Sequence, residues 1–452
     1  MALPPFQNCT IAVIGLGYVG LPLALAFAER KKCFKTKLAL DRKIIGFDIN
    51  AIRINQLNEG LDNTNELKKE QLENLSLISF TCQLEKIILA DVFIITVPTP
   101  IKDGNIPDLL PLMDASTTVG KALKIRENKY KKNLRKKHNP IIIYESTVYP
   151  GCTEEICLPI LEKESNLEAN KDFFYGYSPE RINPGDKNHK LKDVQKVTSG
   201  GNKESGSWIN NFYSSIIEAG THLTKNIKIA ETAKVIENTQ RDLNIALVNE
   251  LAFIFNKMNI DTLDVLNAAS SKWNFLNFRP GLVGGHCIGI DPYYLTWKAE
   301  QIGYKPQIVL SGREVNEKMT DYILGKIVDR LNKLEINLEE TRILICGISF
   351  KEDCPDIRNS KVIDFINLSK DLGFRLNIYD PIADLIDLDL SIKKYVLKDF
   401  PNTELYDVIF IAVPHREIRE IPYEKYNGIL NLKGFIFDLK GILVKRNNII
   451  HP

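Results

Sequence analysis

The sequence predicts an α/β protein with two Rossmann-like, doubly wound parallel-sheet domains joined by a helical central domain that carries one long helix. Three observations predict it. Short, nearly continuous apolar runs alternate with helical patterns up to about Gly200 and again from about Leu334, as expected of parallel strands covered on both faces. Between them the strand signals fade, and Ile229 to Met258 carries apolar residues at helical spacing without glycine or proline. A glycine-rich turn, Gly15-Leu16-Gly17-Tyr18-Val19-Gly20, follows the first apolar run, where a dinucleotide fingerprint belongs. The domains are accordingly drawn at 1–205, 206–325 and 326–452.

The first element is the β-rich run Thr10 to Ile14, and an alanine-rich helix from Leu21 to about Arg30 follows the turn. Gly15 makes the turn, Gly17 lets the backbone approach a pyrophosphate, and Gly20 allows close helix–strand packing. N–H groups at the helix start face the phosphates. The next strand, Lys43 to Phe47, ends in Asp48. A carboxylate there accepts from ribose hydroxyls and repels a 2′-phosphate, which favours NAD over NADP. Asp48 lies further from Gly20 than the usual spacing of about 20 residues, and the excess is a basic segment, Lys31 to Arg42, taken as an inserted loop. Tyr18 and Val19 within the fingerprint and Arg53 just beyond Asp48 are assigned to the cofactor as well. Val92 to Val97 and Ile141 to Thr147 continue the sheet. Ligands of such sheets lie beyond the carboxyl ends of the strands, where Thr99 and Thr147 fall.

The long central helix suggests an interface, and a homodimer is expected from the prevalence of twofold assemblies. In the second α/β unit the strands are Arg342 to Gly347, Arg375 to Asp380, Val408 to Val413 and Phe435 to Asp438. That unit lacks a GxGxxG turn, so a ligand different from the first unit's is expected.

Bulk properties exclude several classes. At 452 residues, 44% hydrophobic and 26% charged, with a net charge of +2, the chain has an ordinary globular balance and no general affinity for nucleic acid. The run from Lys121 to Lys137 holds nine Lys or Arg against one Glu and reads as a solvated helix and loop. No signal peptide, bilayer-length apolar run or tandem repeat is read. Eight cysteines without CxxC pairs suit a reducing cytoplasm, and no ligand spacing supports a metal.

Gly284-Gly285-His286-Cys287-Ile288-Gly289-Ile290-Asp291 carries the chemistry. A helix starting near His286 would put Cys287 in its first turn, where unpaired N–H groups and the helix dipole favour a thiolate. Asp291, four residues on, would share its face. A thiolate beside a carboxylate is a covalent-catalysis pair.

In order, these motifs resemble the UDP-glucose/GDP-mannose dehydrogenase family from Ile11 to about Gly441. The likeness is greatest to the branch acting on UDP-N-acetylhexosamines, through Ser178-Pro179-Glu180-Arg181-Ile182-Asn183-Pro184-Gly185, Phe278-Arg279-Pro280-Gly281-Leu282-Val283-Gly284-Gly285-His286-Cys287 and Asp291-Pro292-Tyr293-Tyr294-Leu295. The resemblance implies oxidation of a nucleotide sugar's C6 alcohol to a carboxylate with two NAD. It makes Cys287 the nucleophile that turns the aldehyde into a thiohemiacetal and then a thioester. Lys234 and Asn238, four apart on the long helix, are implied to point into the active site. Asp291 serves there as general base, Thr147 positions water, and Glu180 helps hydrolyse the thioester. For the substrate it implies Arg279 and the backbone from Gly281 to Gly284, Lys351, and Lys440 where many members carry arginine. Arg358 would reach NAD, and Arg181 and Asn183 would discriminate the sugar.

The resulting expectation is an NAD-dependent UDP-N-acetylhexosamine 6-dehydrogenase, cytoplasmic and feeding a surface polysaccharide. UDP-glucose or GDP-mannose is the alternative substrate. Two other classes compete: a non-catalytic nucleotide-sugar or NAD-binding protein, and a single-hydride hydroxyacid dehydrogenase, which needs no nucleophilic cysteine.

Overall fold

The computed structural model describes residues 3–64, 67, 69–133, 138–181, 191–386 and 388–452. Asn183 and the 134–137 part of the basic run lie outside the described residues. The chain divides into two compact units, Met1–Glu237 with Tyr293–Ile302, and Asn238–Pro292 with Gly303–Pro452.

In the first unit, strands β1 (Thr10–Ile14), β2 (Lys43–Phe47), β3 (Ile78–Thr81), β4 (Val92–Ile95), β5 (Ile141–Tyr144), β6 (Phe174–Tyr177), β7 (Lys196–Gly200) and β8 (Thr221–Leu223) form one sheet in the order β8-β7-β6-β5-β4-β1-β2-β3. The first six strands are parallel; β7 runs antiparallel to β6, and β8 pairs parallel with β7. Ile11, Val13, Ile94, Ile141 and Ile143 are fully buried, as the apolar runs require. The edge strand β8 lies where the sequence shows no strand signal, because three residues cannot express a period. Helices α1 (Gly20–Glu29), α2 (Ala51–Asn58), α3 (Leu110–Asn133), α4 (Leu158–Ser165) and α5 (Lys203–Ser214) belong to this unit.

Helix α6 (Ile227–Lys257) is the long helix, and the boundary between the units falls within it, between Glu237 and Asn238. Then follow α7 (Thr262–Ala269), α8 (Asp291–Gln301), α9 (Gln307–Lys333) and α10 (Lys361–Asp371). The second unit's sheet comprises β9 (Arg342–Cys346), β10 (Arg375–Tyr379), β11 (Val396–Leu397), β12 (Tyr406–Ile411), β13 (Leu430–Asp438) and β14 (Ile449–Ile450), in the order β11-β10-β9-β12-β13-β14 and wholly parallel.

The two units repeat one plan bond for bond. Gly15, at φ +93°, donates its N–H to Phe47 O at 2.8 Å, and Gly347, at φ +88°, donates to Tyr379 O at 2.8 Å. Leu16 N–H meets Asp48 Oδ2 at 2.8 Å; Ile348 N–H meets Asp380 Oδ2 at 2.7 Å. In each sheet the strand order reverses beside the first strand, which opens a crevice at the carboxyl ends of the strands.

In the first unit, Glu231 of α6 is fully buried and accepts from the backbone N–H groups of Gly151 (2.5 Å) and Thr153 (2.9 Å) at the start of the turn leading into α4. Burial pushes its carboxyl up from 4.5 to about 7, against these hydrogen bonds, which favour the charge. Between those two values the folded state holds a proton that the unfolded chain has lost. Stability therefore falls as pH rises from about 4.5 to about 7, by about 3 kcal/mol at most. Urea unfolding at pH 5, 6, 7 and 8 should show the stability of the wild type falling relative to that of Glu231→Gln as pH rises toward about 7. A difference between the two that does not vary with pH would refute it.

Candidate functional site

The first unit builds a phosphate cradle. A Cβ on Gly20 would stand 1.8 Å from Gly15 O and 2.5 Å from Thr96 Oγ1, so helix and strand approach to a distance only glycine allows. At Gly17 nothing lies within 4 Å of such a Cβ, and no side chain caps the N-terminus of α1. This open backbone at an uncapped helix start fits a pyrophosphate. Asp48 holds the loop through Leu16 and accepts from Asn50 N–H at 2.9 Å. Arg53, on α2, donates to Leu16 O at 3.1 Å and pairs with Asp62 at 2.8 Å, so its guanidinium braces the same loop. Ile49 and Ile52 are exposed next to Asp48. Thr99 and Thr147 are partly buried beyond β4 and β5, and Tyr294 donates its hydroxyl to Pro100 O at 2.9 Å.

Beside Thr147 lies a buried polar group that the sequence does not announce. Lys196 Nζ is 2.6 Å from Glu145 Oε2, 3.1 Å from Pro179 O and 3.9 Å from Glu180 Oε2. Tyr213 donates a short hydrogen bond to Glu145. Burial raises the Glu145 carboxyl's pKa, and Lys196 opposes that. Glu180 Oε1 accepts from Arg181 N–H at 2.6 Å. Arg181 itself is held by Glu237 at 2.7 Å and by Gln195 O at 2.8 Å.

In the second unit, Gly285 to Ile290 form successive turns, and the helix starts at Asp291 rather than near His286. Cys287 therefore precedes α8 instead of sitting in its first turn. Pro292 explains the correction, since proline suits the opening of a helix. Cys287 O accepts from Ile290 N–H (3.1 Å) and Asp291 N–H (2.8 Å), and the cysteine is exposed. Asp291 is buried, and Asn238 Nδ2 donates to its Oδ2 at 2.6 Å. His286 Nε2 lies 3.7 Å from Asp356 Oδ2. Burial, helped by Arg358 and opposed by Asp356, lowers its pKa and favours the neutral ring. Arg358 is committed to Asp356 at 2.8 and 3.0 Å. Lys351 lies over the ring of Phe350.

A cavity of about 440 Å³ in this unit gathers Arg241, Arg279, Arg419 and Lys440 with one carboxylate, Glu352. Arg279 donates to Asn267 Oδ1 at 2.6 Å, and Lys440 Nζ donates to Pro280 O at 3.1 Å. Burial lowers the Lys440 pKa, and Glu352 opposes it. Sequence reasoning missed Arg241 and Arg419, although a signal for Arg241 existed. Lys234, Asn238, Arg241, Ile245 and Asn249 are four, three, four and four apart on α6, one narrow face at 3.6 residues per turn.

Comparison with known proteins identifies the whole assembly. The chain matches the UDP-glucose/GDP-mannose dehydrogenase family in its NAD binding domain (residues 9–217), its central domain (228–318) and its UDP binding domain (344–445). The chain belongs to this family. It is an NAD-dependent nucleotide-sugar dehydrogenase, and the second unit's different ligand is the UDP moiety. It is 47% identical over 439 residues to a UDP-N-acetyl-D-glucosamine 6-dehydrogenase of Pseudomonas aeruginosa, covering 97% of this chain and 98% of that one. To the Salmonella typhi enzyme of the same name it is 47% identical, with 96% of each covered. Its fold is similar to that of the UDP-D-ManNAc dehydrogenase structure from Pyrococcus horikoshii, at TM-score 0.82 and 28% identity with 98% of each chain covered. Among the described residues no helix is long and apolar enough to cross a membrane.

Gly285 shows how tightly the thiol turn is fixed. Its φ is +81°, and a Cβ would stand 2.5 Å from the Phe350 ring. Gly285→Ala should destabilise the protein by at least about 2 kcal/mol in urea unfolding, from strain and overpacking together; an unchanged midpoint would contradict this packing.

Proposed function

We propose that the protein oxidises the C6 alcohol of a UDP-N-acetylhexosamine, UDP-GlcNAc or UDP-GalNAc, to the uronic acid, by way of a covalent bond to Cys287. The observation that carries this reading is the 47% identity, over almost the whole length, to two UDP-N-acetyl-D-glucosamine 6-dehydrogenases. The product is a uronic acid for surface polysaccharide, and the eight free thiols support work in a reducing cytoplasm.

NAD, when bound, accepts the hydride of each oxidation, and two molecules account for four electrons. Gly15, Gly17, Tyr18, Val19, Gly20, Asp48 and Thr99 hold it, with Arg53 bracing the loop and Arg358 a further cofactor residue. The alcohol first loses its proton and a hydride to become an aldehyde. Cys287 Sγ then bonds to the carbonyl carbon, and the oxygen takes up a proton as a thiohemiacetal. Loss of a second hydride and that proton leaves a thioester, and water cleaves the C–S bond to release the acid and the thiol. Lys234 and Asn238 stabilise the oxygen that becomes anionic. Asp291, held by Asn238, takes the proton, while Thr147 orients the water and Glu180 assists hydrolysis.

Arg279 and Lys440 of the cationic cavity bind the nucleotide diphosphate together with Gly281, Gly284 and Lys351, and Arg181 with Asn183 reads the N-acetyl sugar. Arg241 joins them on the strength of its place in that cavity. Lysine at 440 keeps the charge but forgoes the bidentate fork of arginine.

NADH released per sugar consumed, measured with UDP-GlcNAc, UDP-GalNAc, UDP-ManNAc, UDP-glucose and GDP-mannose in turn, tests the reaction. About two per N-acetyl sugar is expected, and Cys287→Ala should form no uronate. One NADH per sugar, or full uronate formation by Cys287→Ala, sinks the covalent route; a higher kcat/KM for an unacetylated sugar replaces the substrate.

The assembly we infer is a homodimer. On the side of α6 opposite Lys234 and Asn238, Ile229, Ile236, Leu247 and Ile254 are each more than 40% exposed. An apolar stripe of this length in water marks an association surface. Leu247→Arg should shift the sedimentation coefficient from dimer toward monomer; a wild type that sediments as a monomer refutes the assembly.

A further inference from the structure

The loop Arg279 to Gly284 is gripped by a buried side-chain amide. Asn249 of α6 accepts from Gly281 N–H at 2.9 Å and donates to Gly281 C=O at 3.0 Å, so one side chain satisfies both backbone groups of the glycine. Its amide orientation follows from those two bonds, since only Oδ1 can accept and only Nδ2 can donate. Asn249 also donates to Asn316 Oδ1 at 2.9 Å. From there Asn316 donates to Asp242 Oδ1 at 2.7 Å, and Arg313 pairs with Asp242 at 2.7 Å. Asn249 and Asp242 are fully buried, and Arg313 and Asn316 nearly so.

The chain of bonds runs on to the other end of the same loop. Arg313 pairs with Glu317, and Glu317 with Lys361 Nζ at 2.5 Å. At Gly284 a Cβ would stand 2.4 Å from Asn359 O and 3.3 Å from Lys361 N. Gly281 is held by the polar chain that runs from α6 to α9 to Lys361, and Gly284 packs closely against the backbone where that chain ends, just before and at the start of α10. Between the chain and the cavity lies the loop itself: a Cβ at Gly281 would be 2.2 Å from Lys440 Nζ.

We propose that Asn249 is a positioning residue for nucleotide-sugar binding: by clamping Gly281 it sets the height of the Arg279–Gly284 backbone and the place of Lys440 in the cavity wall. It touches no substrate. The inference rests on the assignment of this cavity to the nucleotide diphosphate. A side chain at Gly281 would displace the Lys440 ammonium, and among the described residues Asn249 alone meets both backbone groups of this buried glycine through its side chain. A shift of this backbone misplaces the diphosphate ligands together, whereas the dinucleotide half of the protein has its own loop and its own brace.

The test uses the full-length protein and two probes, UDP by calorimetry and NADH by fluorescence. Asn249→Ala should weaken UDP binding by at least about tenfold, because two backbone groups lose their partner and the loop drifts, while NADH affinity stays within about twofold. Asn316→Ala, which unsettles the clamp without touching the loop, should weaken UDP binding by about threefold, and it decides the question if Asn249→Ala does not fold. UDP binding by either folded variant within a factor of two of wild type, with only the melting temperature lowered, reduces the chain to core packing and overturns the proposal. A wild type that binds NADH but not UDP overturns the cavity assignment and the clamp with it.

Discussion

The backbone N–H of Leu16 must have a partner once the chain leaves β1 through a left-handed glycine, and Asp48 supplies it from the end of the neighbouring strand. That bond closes the turn, aims α1 and leaves the loop's remaining backbone facing outward. The requirement is local and strict, because a buried amide without an acceptor costs about 1–3 kcal/mol. The glycine turn, the helix direction and the place of the Asp48 carboxylate are therefore one feature rather than three. Arg53 adds a brace from the other side of the same peptide.

Helix α6 extends the same economy to the rest of the molecule. One face carries the buried Lys234, then Asn238, Arg241 and Asn249, which meet in turn Asp291, the cationic cavity and the Gly281 backbone. The opposite face is apolar and open to solvent. Ala230, Val235, Ala246 and Val248 of the same helix are buried and anchor it. Its length matters as well, since 3.6 residues per turn lets four polar positions line up only along several turns.

What could be read directly followed from local rules. Apolar runs marked β1, β2, β4 and β5, the glycine spacing marked the cradle, and the glycine-free stretch marked α6. What escaped depended on contacts distant in sequence or on elements too short to have a pattern. β8 has three residues. The start of α8 was legible in Asp291-Pro292, yet the glycines before Cys287 drew the boundary forward. Lys196, Asn249 and Asn316 look like solvated polar residues until the fold closes around them, because a single chain of letters does not say which amide will meet which peptide. The roles given to Lys234 and Glu180 rest on likeness rather than on pattern, for burial of a mid-helix lysine leaves no mark in its neighbours.

The second unit repeats the strand-end carboxylate with a different outcome. Asp380 meets Ile348 N–H as Asp48 meets Leu16, but His415 Nε2 lies 3.0 Å from its Oδ2, and both side chains are wholly hidden from solvent. Asp353 N–H donates to His415 Nδ1 at 2.9 Å, so the ring faces Asp380 with Nε2 as donor. Against burial, which raises it, His415 and the backbone amides hold the Asp380 carboxyl below its usual range. One imidazole thus stoppers the copy. The two units share a backbone plan but not an open strand end: Asp48 stays partly exposed, whereas a single ring corks Asp380.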